Sequence, residues 1–137
     1  MKNILITGGS RGIGKEIVKI CHKNNFKVHF TYSNNLVSAK KLLDELNSEN
    51  ISFSQCNLNN YDDIKKLFVN IKERFDFLDG LVNNAGISGG IVSIKDFSKK
   101  IIDEVFEINV KGLIHCCKES MPMMSKNKGA RGGSIVN

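Results

Sequence analysis

The sequence T-G-G-S-R-G-I-G at residues 7–14 follows a short apolar run at residues 4–6 and precedes a run of apolar residues at helical spacing. This order predicts a strand, a glycine-rich turn and a helix. Because Gly8, Gly12 and Gly14 lack a Cβ, the turn can be tight and its backbone can approach a ligand closely. The free N–H groups and the positive dipole end of the following helix favour a phosphate. The apolar positions of the predicted helix are Ile13, Ile17, Ile20 and Cys21.

Two kinds of phosphate-binding turn compete for these residues. The common dinucleotide fingerprint is G-x-G-x-x-G with an acid about 20 positions further on, whereas the spacing here is G-x-x-x-G-x-G. The triphosphate loop G-x-x-x-x-G-K-S/T fits from Gly9 to Lys15, but Glu16 stands where a hydroxyl should ligate Mg²⁺. Its carboxylate would also place a negative charge beside the phosphates. A triphosphate-dependent enzyme is therefore the weaker alternative.

The composition is that of one soluble globular domain. With 137 residues, of which 41% are hydrophobic and 25% charged, the chain predicts a single domain over residues 1–137. The N-terminus leads directly into the first strand without a charged leader, and no apolar run approaches the length of a membrane span. We expect a cytoplasmic protein without membrane association.

The net charge of +6 comes from 17 lysines and three arginines. The lysines occur singly or in pairs on the polar faces of predicted helices, and no basic stripe alternates with aromatic residues. Arginine, the usual reader of bases, is scarce. We interpret the charge as a solvated surface and expect no nucleic-acid partner.

The four cysteines, Cys21, Cys56, Cys116 and Cys117, show no C-x-x-C spacing and no histidine at metal-ligand spacing apart from the neighbouring His115. Free buried thiols in a reducing compartment explain them better than a disulfide or a metal site. We expect no bound metal.

Strand and helix patterns alternate along the chain. The predicted strands are residues 4–6, 27–32, 51–56, 78–82 and a fifth that begins at 134. The second predicted helix ends by Asn50, and its apolar face consists of Leu36, Ala39, Leu43 and Leu46. The third has the apolar positions Ile64, Leu67, Phe68, Ile71 and Phe75. Residues 98–124 are predicted to be helical with a bend near Gly112. This alternation predicts right-handed crossovers and a parallel sheet covered by helices on both faces.

Polar clusters follow several of these strands. In a parallel α/β sheet, ligands bind beyond the carboxyl ends of the strands, at the point where the strand order reverses. The glycine turn lies there, and so should Tyr32-Ser33, Asn57 and the stretch Asn83 to Gly86. The informative polar clusters therefore fall at one edge of the predicted sheet, which favours a single binding site.

Four motifs, in order, carry a resemblance to a known family. They are Thr7-Gly8-x-x-x-Gly12-x-Gly14, Asn83-Asn84-Ala85-Gly86, Asn109-Val110-x-Gly112 and Gly133-Ser134-Ile135-Val136-Asn137. Together they resemble the short-chain dehydrogenase/reductase family in its classical type, near the 3-oxoacyl-carrier-protein reductases and the sugar or steroid dehydrogenases. The resemblance implies a doubly wound parallel sheet, the Rossmann fold, with strand order 3-2-1-4-5. It also implies hydride transfer between a nicotinamide cofactor and a small carbonyl or alcohol substrate.

The resemblance places the cofactor pyrophosphate on the backbone of Ser10 to Gly14, with Ile13 donating its N–H. NAD-specific members carry an acid at the end of the second strand, which binds the ribose hydroxyls and repels a 2′-phosphate. Here Tyr32-Ser33-Asn34 carries no carboxylate, while Arg11 and Ser10 offer a cation and a hydroxyl to a phosphate. NADP(H) is therefore favoured over NAD(H). The alternative for Arg11 is an exposed loop cation without a ligand.

The resemblance also assigns residues to the adenine and the ribose. Asn57 and Leu58 would flank the adenine, and family members usually carry aspartate where Asn57 stands. A neutral amide still offers an acceptor oxygen, though a weaker one. Asn83, Ala85 and Gly86 would line the cofactor ribose; the alternative for this element is a plain strand-ending turn.

Asn109 is the one candidate catalytic residue that the resemblance places in this chain. In the family mechanism a tyrosine is the general acid or base, a lysine lowers its pKa, a serine holds the substrate oxygen, and a water held by the bent asparagine helix relays protons. The alternative for Asn109 is a polar residue that only bends the helix near Gly112.

The catalytic serine and the Tyr-x-x-x-Lys motif of the family follow its fifth strand, and the chain stops at Asn137 inside that strand. Tyr61 and Lys65 spell the motif, but they precede the Asn83 element, and we interpret them as a coincidence. The only other tyrosine is Tyr32. We expect a truncated, cofactor-binding half that is inactive alone. The alternative is a module that binds a dinucleotide without turnover.

The stretch Leu113 to Met124 is apolar over more than one helical face. One face should pack on the sheet, and the other can meet a partner helix, as in the dimers and tetramers of the family, unless both faces are buried. We expect a homo-oligomer. The substrate and the direction of reaction stay open, because the substrate-selecting residues of the family lie beyond position 137.

Overall fold

The structure, a computed structural model, describes residues 1–137 and contains five strands and five α-helices. The strands are β1 (Asn3–Ile6), β2 (Lys27–Tyr32), β3 (Ile51–Gln55), β4 (Gly80–Val82) and β5 (Ser134–Val136). The helices are α1 (Gly12–Lys23), α2 (Leu36–Leu46), α3 (Tyr61–Arg74), α4 (Lys99–Phe106) and α5 (Leu113–Met124). None of them combines the length and the apolar content that a membrane-spanning helix needs.

The strands form a single parallel sheet in the order β3-β2-β1-β4-β5. In its register, Ile4 of β1 lies between Val28 of β2 and Gly80 of β4. The chain builds outward from β1 to β3 and then crosses to the other side of β1, so the strand order reverses between β1 and β4. The Rossmann architecture and strand order implied by the family resemblance are confirmed.

Two apolar cores cover the two faces of this sheet. Ile4 and Ile6 of β1 belong to the core formed with α1 and α2, whereas Leu5 belongs to the core formed with α3 and α5. The division follows from the alternation of side chains along a strand. The apolar positions predicted for α3 are all buried: Ile64, Leu67, Phe68, Ile71 and Phe75.

The predicted apolar face of α1 is wrong at two positions. Ile13 and Ile20 have 76% and 61% of their surface exposed, while Gly14 and Val18 are the buried residues of the helix. Gly14 must face inward, because an added Cβ would lie only 2.3 Å from the carbonyl oxygen of Gly8. This contact fixes the rotation of α1 about its axis and turns Ile13 and Ile20 outward.

The second helix also differs from its prediction. Leu36 is 40% exposed, and Leu42, which was not predicted on the apolar face, is fully buried. The helix ends at Leu46 rather than near Asn50, because its C-cap Asn47 adopts a left-handed conformation (φ 40°) and donates its N–H to the carbonyl of Leu43. Asparagine tolerates this conformation better than most residues and often caps a helix in this way.

Two strands are shorter than predicted. β3 ends at Gln55 instead of Cys56, and β4 begins at Gly80 instead of Leu78. The N–H of Leu78 donates to the carbonyl of Met123 at 3.1 Å, outside the sheet. Leu78 is nevertheless fully buried and contributes to the core with α3 and α5.

The predicted bend near Gly112 is confirmed as a π-helical segment, Glu107–Gly112, between α4 and α5. An added Cβ at Gly112 would lie 2.7 Å from the carbonyl oxygen of Leu58, so the loop after β3 rests directly on the helix backbone. Short π segments of this kind occur frequently at functional sites. The segment therefore connects the helical region with the loop at the carboxyl end of β3.

A buried histidine lies within the sheet, in β2. His29 is 5% exposed, and its two ring nitrogens lie 2.9 Å from the hydroxyl oxygens of Ser52 and Ser54 on β3. Burial, together with the charge of Arg74, lowers the pKa of His29 from 6.5 to about 4. The neutral imidazole satisfies both serines, since one nitrogen donates and the other accepts.

We expect this histidine to make the fold sensitive to mild acid. The unfolded chain binds a proton at His29 near pH 6.5 and the native chain only near pH 4, so stability is lost as the pH falls through that window. The loss should approach about 3 kcal/mol by pH 4. Urea denaturation of the wild type and of His29→Gln between pH 7 and pH 4 measures it. Parallel pH profiles of the two proteins would contradict the assignment.

Candidate functional site

A cleft of about 880 Å³ opens at the carboxyl ends of the strands, where the strand order reverses. Its volume lies within the range of about 300–1,000 Å³ that is usual for small-molecule and cofactor sites. The residues that line it are Gly8, Ser10, Arg11, Gly12, Ile13, Gly14, Thr31, Tyr32, Ser33, Asn34, Asn35, Cys56, Asn57, Leu58, Asn59, Asn84, Ala85, Gly86, Ile87 and Ile108. The structure therefore brings together every proposed cofactor-binding residue except Asn83.

The floor of the cleft is the glycine turn. Gly8 and Gly12 have positive φ angles of 65° and 56°, which a residue with a Cβ adopts only with strain. A Cβ at Gly12 would meet no atom within 4 Å, so this glycine borders open space in the cleft. The first N–H of the helix that donates to a backbone carbonyl is that of Lys15, which bonds to Arg11 at 3.2 Å. The preceding N–H groups are free for an anionic ligand, and the turn fits a pyrophosphate.

Thr7 and Asn84 tie this turn to the end of β4. The Thr7 hydroxyl oxygen accepts from the backbone N–H groups of Asn84 and Ala85, each at 3.1 Å. The Asn84 amide donates in return to the carbonyls of Thr7 and Gly8 at 2.9 and 3.0 Å. Sequence reasoning assigned no role of its own to Thr7 or Asn84, although both belong to the motifs and Asn84 lies in the stretch predicted at this edge. These bonds fix the position of the turn against the adjacent strand.

Asn83, predicted to line the ribose, lies outside the cleft. It is 9% exposed, and its amide donates to Oδ1 of Asn137 at 2.9 Å and to Sγ of Cys117 at 3.3 Å. Successive side chains at the end of a strand point in opposite directions. Asn83 consequently bonds toward β5 and α5, and its neighbour Asn84 lines the cleft in its place. Asn83 Oδ1 has no hydrogen-bond partner.

The far end of the cleft is built by the segments that follow β2 and β3. Ser33 donates its hydroxyl to Oδ1 of Asn57 at 2.6 Å and thereby bridges the two segments. The Gln55 side chain donates to the carbonyl of Ser33 at 2.7 Å. The predicted residues that meet at this end are Tyr32, Ser33, Asn34, Asn57 and Leu58; Asn35 and Asn59 join them and were not predicted.

Arg11 is the one cation of the glycine turn, and it has no acidic partner. It lines the cleft, precedes α1 and takes part in no ion pair. Lys15, one turn further along, instead pairs with Glu45 of α2 at 3.0 Å. Hydrogen bonds from Lys19 and Lys15 lower the pKa of Glu45 to about 2. Arg11 therefore remains available to an anion in the cleft.

Asn109 lies within the π segment and holds the loop that follows β4. Its side chain accepts from the N–H of Ile87 at 2.9 Å and donates to the carbonyl of Ile87 at 2.8 Å. A Cβ on Gly86 would lie 3.1 Å from Asn109 Oδ1, so the loop backbone packs closely on this side chain. Asn109 itself does not line the cleft, whereas its neighbour Ile108 does. The side chain thus positions the cleft wall.

Tyr61 does not line this cleft. Its hydroxyl donates to Glu119 Oε1 at 2.5 Å and accepts from Lys118 Nζ at 2.7 Å, and its ring lies 4.3 Å from that of His115 on α5. These contacts join the start of α3 to α5. The position agrees with the interpretation of the Tyr61–Lys65 spacing as a coincidence.

Cys56 is the one thiol that borders the cleft. Burial, with a contribution from the charge of Asp63, raises the pKa of Cys56 to about 12, and burial raises that of Cys116 to about 12 as well. A thiol is nucleophilic as the thiolate, and at a pH well below the raised pKa little of the Cys56 thiol is ionised. Cys56 therefore acts as an apolar wall and offers no nucleophile.

A family model described as short chain dehydrogenase matches residues 2–137. Together with the parallel sheet, the glycine turn and the cleft at the strand-order reversal, this match shows that the chain belongs to the short-chain dehydrogenase family.

Individual relatives agree with this class. The chain is similar to the 3-oxoacyl-(acyl-carrier-protein) reductase of Staphylococcus aureus strain Mu50, with 30% identity over 99% of this chain and 54% of that protein. It is 36% identical to (+)-borneol dehydrogenase 2 of Salvia officinalis over 97% of this chain and 46% of that protein. The chain is also similar to a solved structure, the closed form of serine dehydrogenase complexed with NADP+, with a TM-score of 0.86 and 26% sequence identity. The superposition covers 98% of this chain and 52% of the chain in that structure. The chain thus spans about half the length of these relatives.

Proposed function

We propose that this chain is the cofactor-binding half of an NADP(H)-dependent short-chain oxidoreductase that transfers hydride between nicotinamide and a carbonyl or alcohol substrate. The observation that carries the proposal is the glycine turn, whose unpaired N–H groups and positive φ glycines face a cleft at the strand-order reversal. In a Rossmann fold this is the position of the dinucleotide.

Different residues of the cleft bind different parts of the cofactor. The backbone of residues 10–14 binds the pyrophosphate, and Asn57 with Leu58 flanks the adenine. Ala85 and Gly86 line the ribose. Thr7 holds Ala85 by accepting its backbone N–H, and Asn109 holds the loop after Gly86 by accepting the N–H of Ile87. When bound, the cofactor supplies or accepts hydride at the nicotinamide C4.

NADP(H) is the cofactor that the charges of the cleft favour. No carboxylate follows β2, where Tyr32, Ser33 and Asn34 line the cleft, so a 2′-phosphate meets no repulsion there. Arg11 is free of acidic partners and supplies a guanidinium to that phosphate. A relative of similar fold was solved as a complex with NADP+.

We further propose that these 137 residues bind the cofactor without turning over a carbonyl substrate. Tyr32 lines the cleft where the segments after β2 and β3 meet, and Tyr61 bonds to Glu119 of α5 instead of lining the cleft, so neither is placed to act as the general acid. A chain that reduced carbonyl compounds unaided would contradict this proposal.

A triphosphate-dependent enzyme is the competing function. Its loop would run from Gly9 to Lys15, and its lysine would reach the phosphates. In the structure Lys15 is instead paired with Glu45, and Glu16 brings a carboxylate in place of the hydroxyl that ligates Mg²⁺. These two features favour the dinucleotide.

A fluorescence titration tests the proposed function. NADPH should bind saturably to one site and about tenfold or more tightly than NADH, because a charge-assisted bond to the 2′-phosphate contributes about 1.5–3 kcal/mol. Arg11→Ala should weaken NADPH binding and leave NADH binding nearly unchanged. ATP with Mg²⁺ should compete poorly. Tighter binding of NADH, or binding of ATP–Mg²⁺ in preference to both, would overturn the proposal.

The exposed side of the α4–α5 region favours assembly with a second copy. Ile102, Phe106, Val110, Ile114 and Met121 are each at least 42% exposed and recur at helical spacing. The opposite side, with Cys116, Met123 and Met124, is buried against the sheet. We expect light scattering to report a homo-oligomer, and Ile114→Lys to shift it toward monomer. A monodisperse wild-type monomer would contradict this.

We also propose a cytoplasmic location. All four cysteines are free, as expected of thiols in a reducing compartment. Recovery of the protein in an extracellular fraction would contradict this assignment.

A further inference from the structure

The hydrogen bond between Ser33 and Asn57 joins the two segments that form the adenine end of the cleft. Ser33 follows β2, and Asn57 follows β3. The hydroxyl oxygen of Ser33 lies 2.6 Å from Oδ1 of Asn57 and 3.2 Å from Oδ1 of Asn34, so the shorter bond to Asn57 is the stronger one. Gln55 holds the Ser33 carbonyl at 2.7 Å and so fixes the backbone that presents this hydroxyl.

A serine hydroxyl has a single proton to donate. A 2′-phosphate carries only acceptor oxygens, so it can bind the Ser33 hydroxyl only if the hydroxyl turns from Asn57 and donates to the phosphate instead. A ribose 2′-hydroxyl can itself donate to the Ser33 oxygen, and the bond from Ser33 to Asn57 then persists. The two cofactors therefore demand different orientations of the same hydroxyl.

The identity of the residue at position 57 decides how readily the hydroxyl turns. A neutral amide oxygen releases it for a bond to a phosphate, because a hydrogen bond to a charged acceptor is roughly twice as strong as one between neutral groups. Released from Ser33, Asn57 Oδ1 becomes free to accept from the adenine amino group. A carboxylate at position 57 would instead hold the hydroxyl by a charge-assisted bond of its own.

We propose that Asn57 contributes to the preference for the 2′-phosphorylated dinucleotide by leaving the Ser33 hydroxyl free to bind the phosphate. The inference rests on the proposed function. It adds that Ser33 and Asn57 act together on the 2′-phosphate, so the effect of one depends on the other. Asn57 acts on the phosphate through Ser33 and is in this respect a positioning residue.

The test compares NADPH and NADH affinities of the 137-residue chain by fluorescence titration in four variants: Asn57→Asp, Ser33→Ala, the double variant, and Asn59→Asp as a matched control. Asn59 lines the same cleft, and its replacement adds the same charge without a bond to Ser33. Asn57→Asp and Ser33→Ala should each reduce the NADPH-to-NADH affinity ratio about tenfold. The double variant should reduce it no further than Ser33→Ala does, and Asn59→Asp should change it less than Asn57→Asp does.

Two results would overturn the inference while leaving the proposed function intact. One is an affinity ratio that Asn57→Asp changes no more than Asn59→Asp does. The other is additive effects of Asn57→Asp and Ser33→Ala, which would show that the residues act separately. Failure of the wild-type chain to bind either cofactor would refute the proposed function itself. Thermal unfolding of each variant without ligand distinguishes a loss of specificity from a loss of fold.

Discussion

Replacing Gly14 with alanine is expected to abolish dinucleotide binding and to destabilise the chain by about 3 kcal/mol or more. The added Cβ would lie 2.3 Å from the Gly8 carbonyl oxygen and 2.4 Å from the Asn84 amide nitrogen. The first contact is with backbone, which cannot rotate away, so α1 has to move off the turn. The move would also misalign the N–H groups that face the cleft. Urea denaturation and NADPH titration measure the two effects.

Gly129→Ala is the matched control for this substitution. Gly129 has a φ of 83°, and an added Cβ meets no atom within 4 Å. Only the backbone strain of a left-handed alanine remains, about 1–2 kcal/mol, and NADPH affinity should be unchanged because the residue lies in the loop before β5. A Gly14→Ala variant no less stable than Gly129→Ala, and with full affinity, would refute the close packing of α1 on the turn.

Thr7→Val should give the second large effect, a destabilisation of about 3 kcal/mol together with weaker cofactor binding. Thr7 is fully buried, and its hydroxyl oxygen is the acceptor for the N–H groups of Asn84 and Ala85. Valine keeps the shape but leaves both donors unpaired, at about 1–3 kcal/mol each when buried. Because Ala85 lines the cleft, the end of β4 should shift and NADPH affinity should fall.

Thr7→Ser distinguishes the contribution of the Thr7 hydroxyl from that of its methyl group. Serine retains the acceptor oxygen and removes only one buried methyl, so the expected loss is about 1 kcal/mol with nearly normal NADPH affinity. Equal losses in the valine and serine variants would show that packing, rather than the hydrogen bonds to the end of β4, accounts for the role of Thr7.

The elements that the sequence predicted well are those specified by local patterns. The glycine turn requires three residues without a Cβ within seven positions, and α3 carries five apolar residues at an unbroken helical spacing. Alternating strands and helices then restrict the topology, because parallel strands need right-handed crossovers. The order of strands beyond that restriction came from the family resemblance and agrees with the structure.

The elements that it missed depend on contacts between distant parts of the chain. The exposure of Ile13 and Ile20 follows from the packing of Gly14 against Gly8, which no helical periodicity reveals. Asn84 lines the cleft where Asn83 was predicted, because the direction of each side chain depends on the register of β4 with β1 and β5. A pattern of alternate residues fixes the two directions but does not say which one faces the cleft.

The bond between Ser33 and Asn57 was likewise beyond sequence reasoning. It exists because β2 and β3 pair with Tyr32 opposite Gln55, which brings the residues after each strand side by side. The sequence predicted that both residues lie at the same edge of the sheet. It gave no means of predicting that one would donate to the other.

The central claim is that the carboxyl edge of this sheet binds a phosphorylated dinucleotide, and NMR chemical-shift mapping with NADP+ tests it most directly. Backbone amides of residues 8–14, 31–35, 56–59 and 84–87 should show the largest shifts and saturate together with a 1:1 stoichiometry. Amides at the opposite edge, near Met1, Lys27 and Phe77, should stay unchanged. Saturable shifts confined to that opposite edge, or no saturable shifts at all, would contradict the claim.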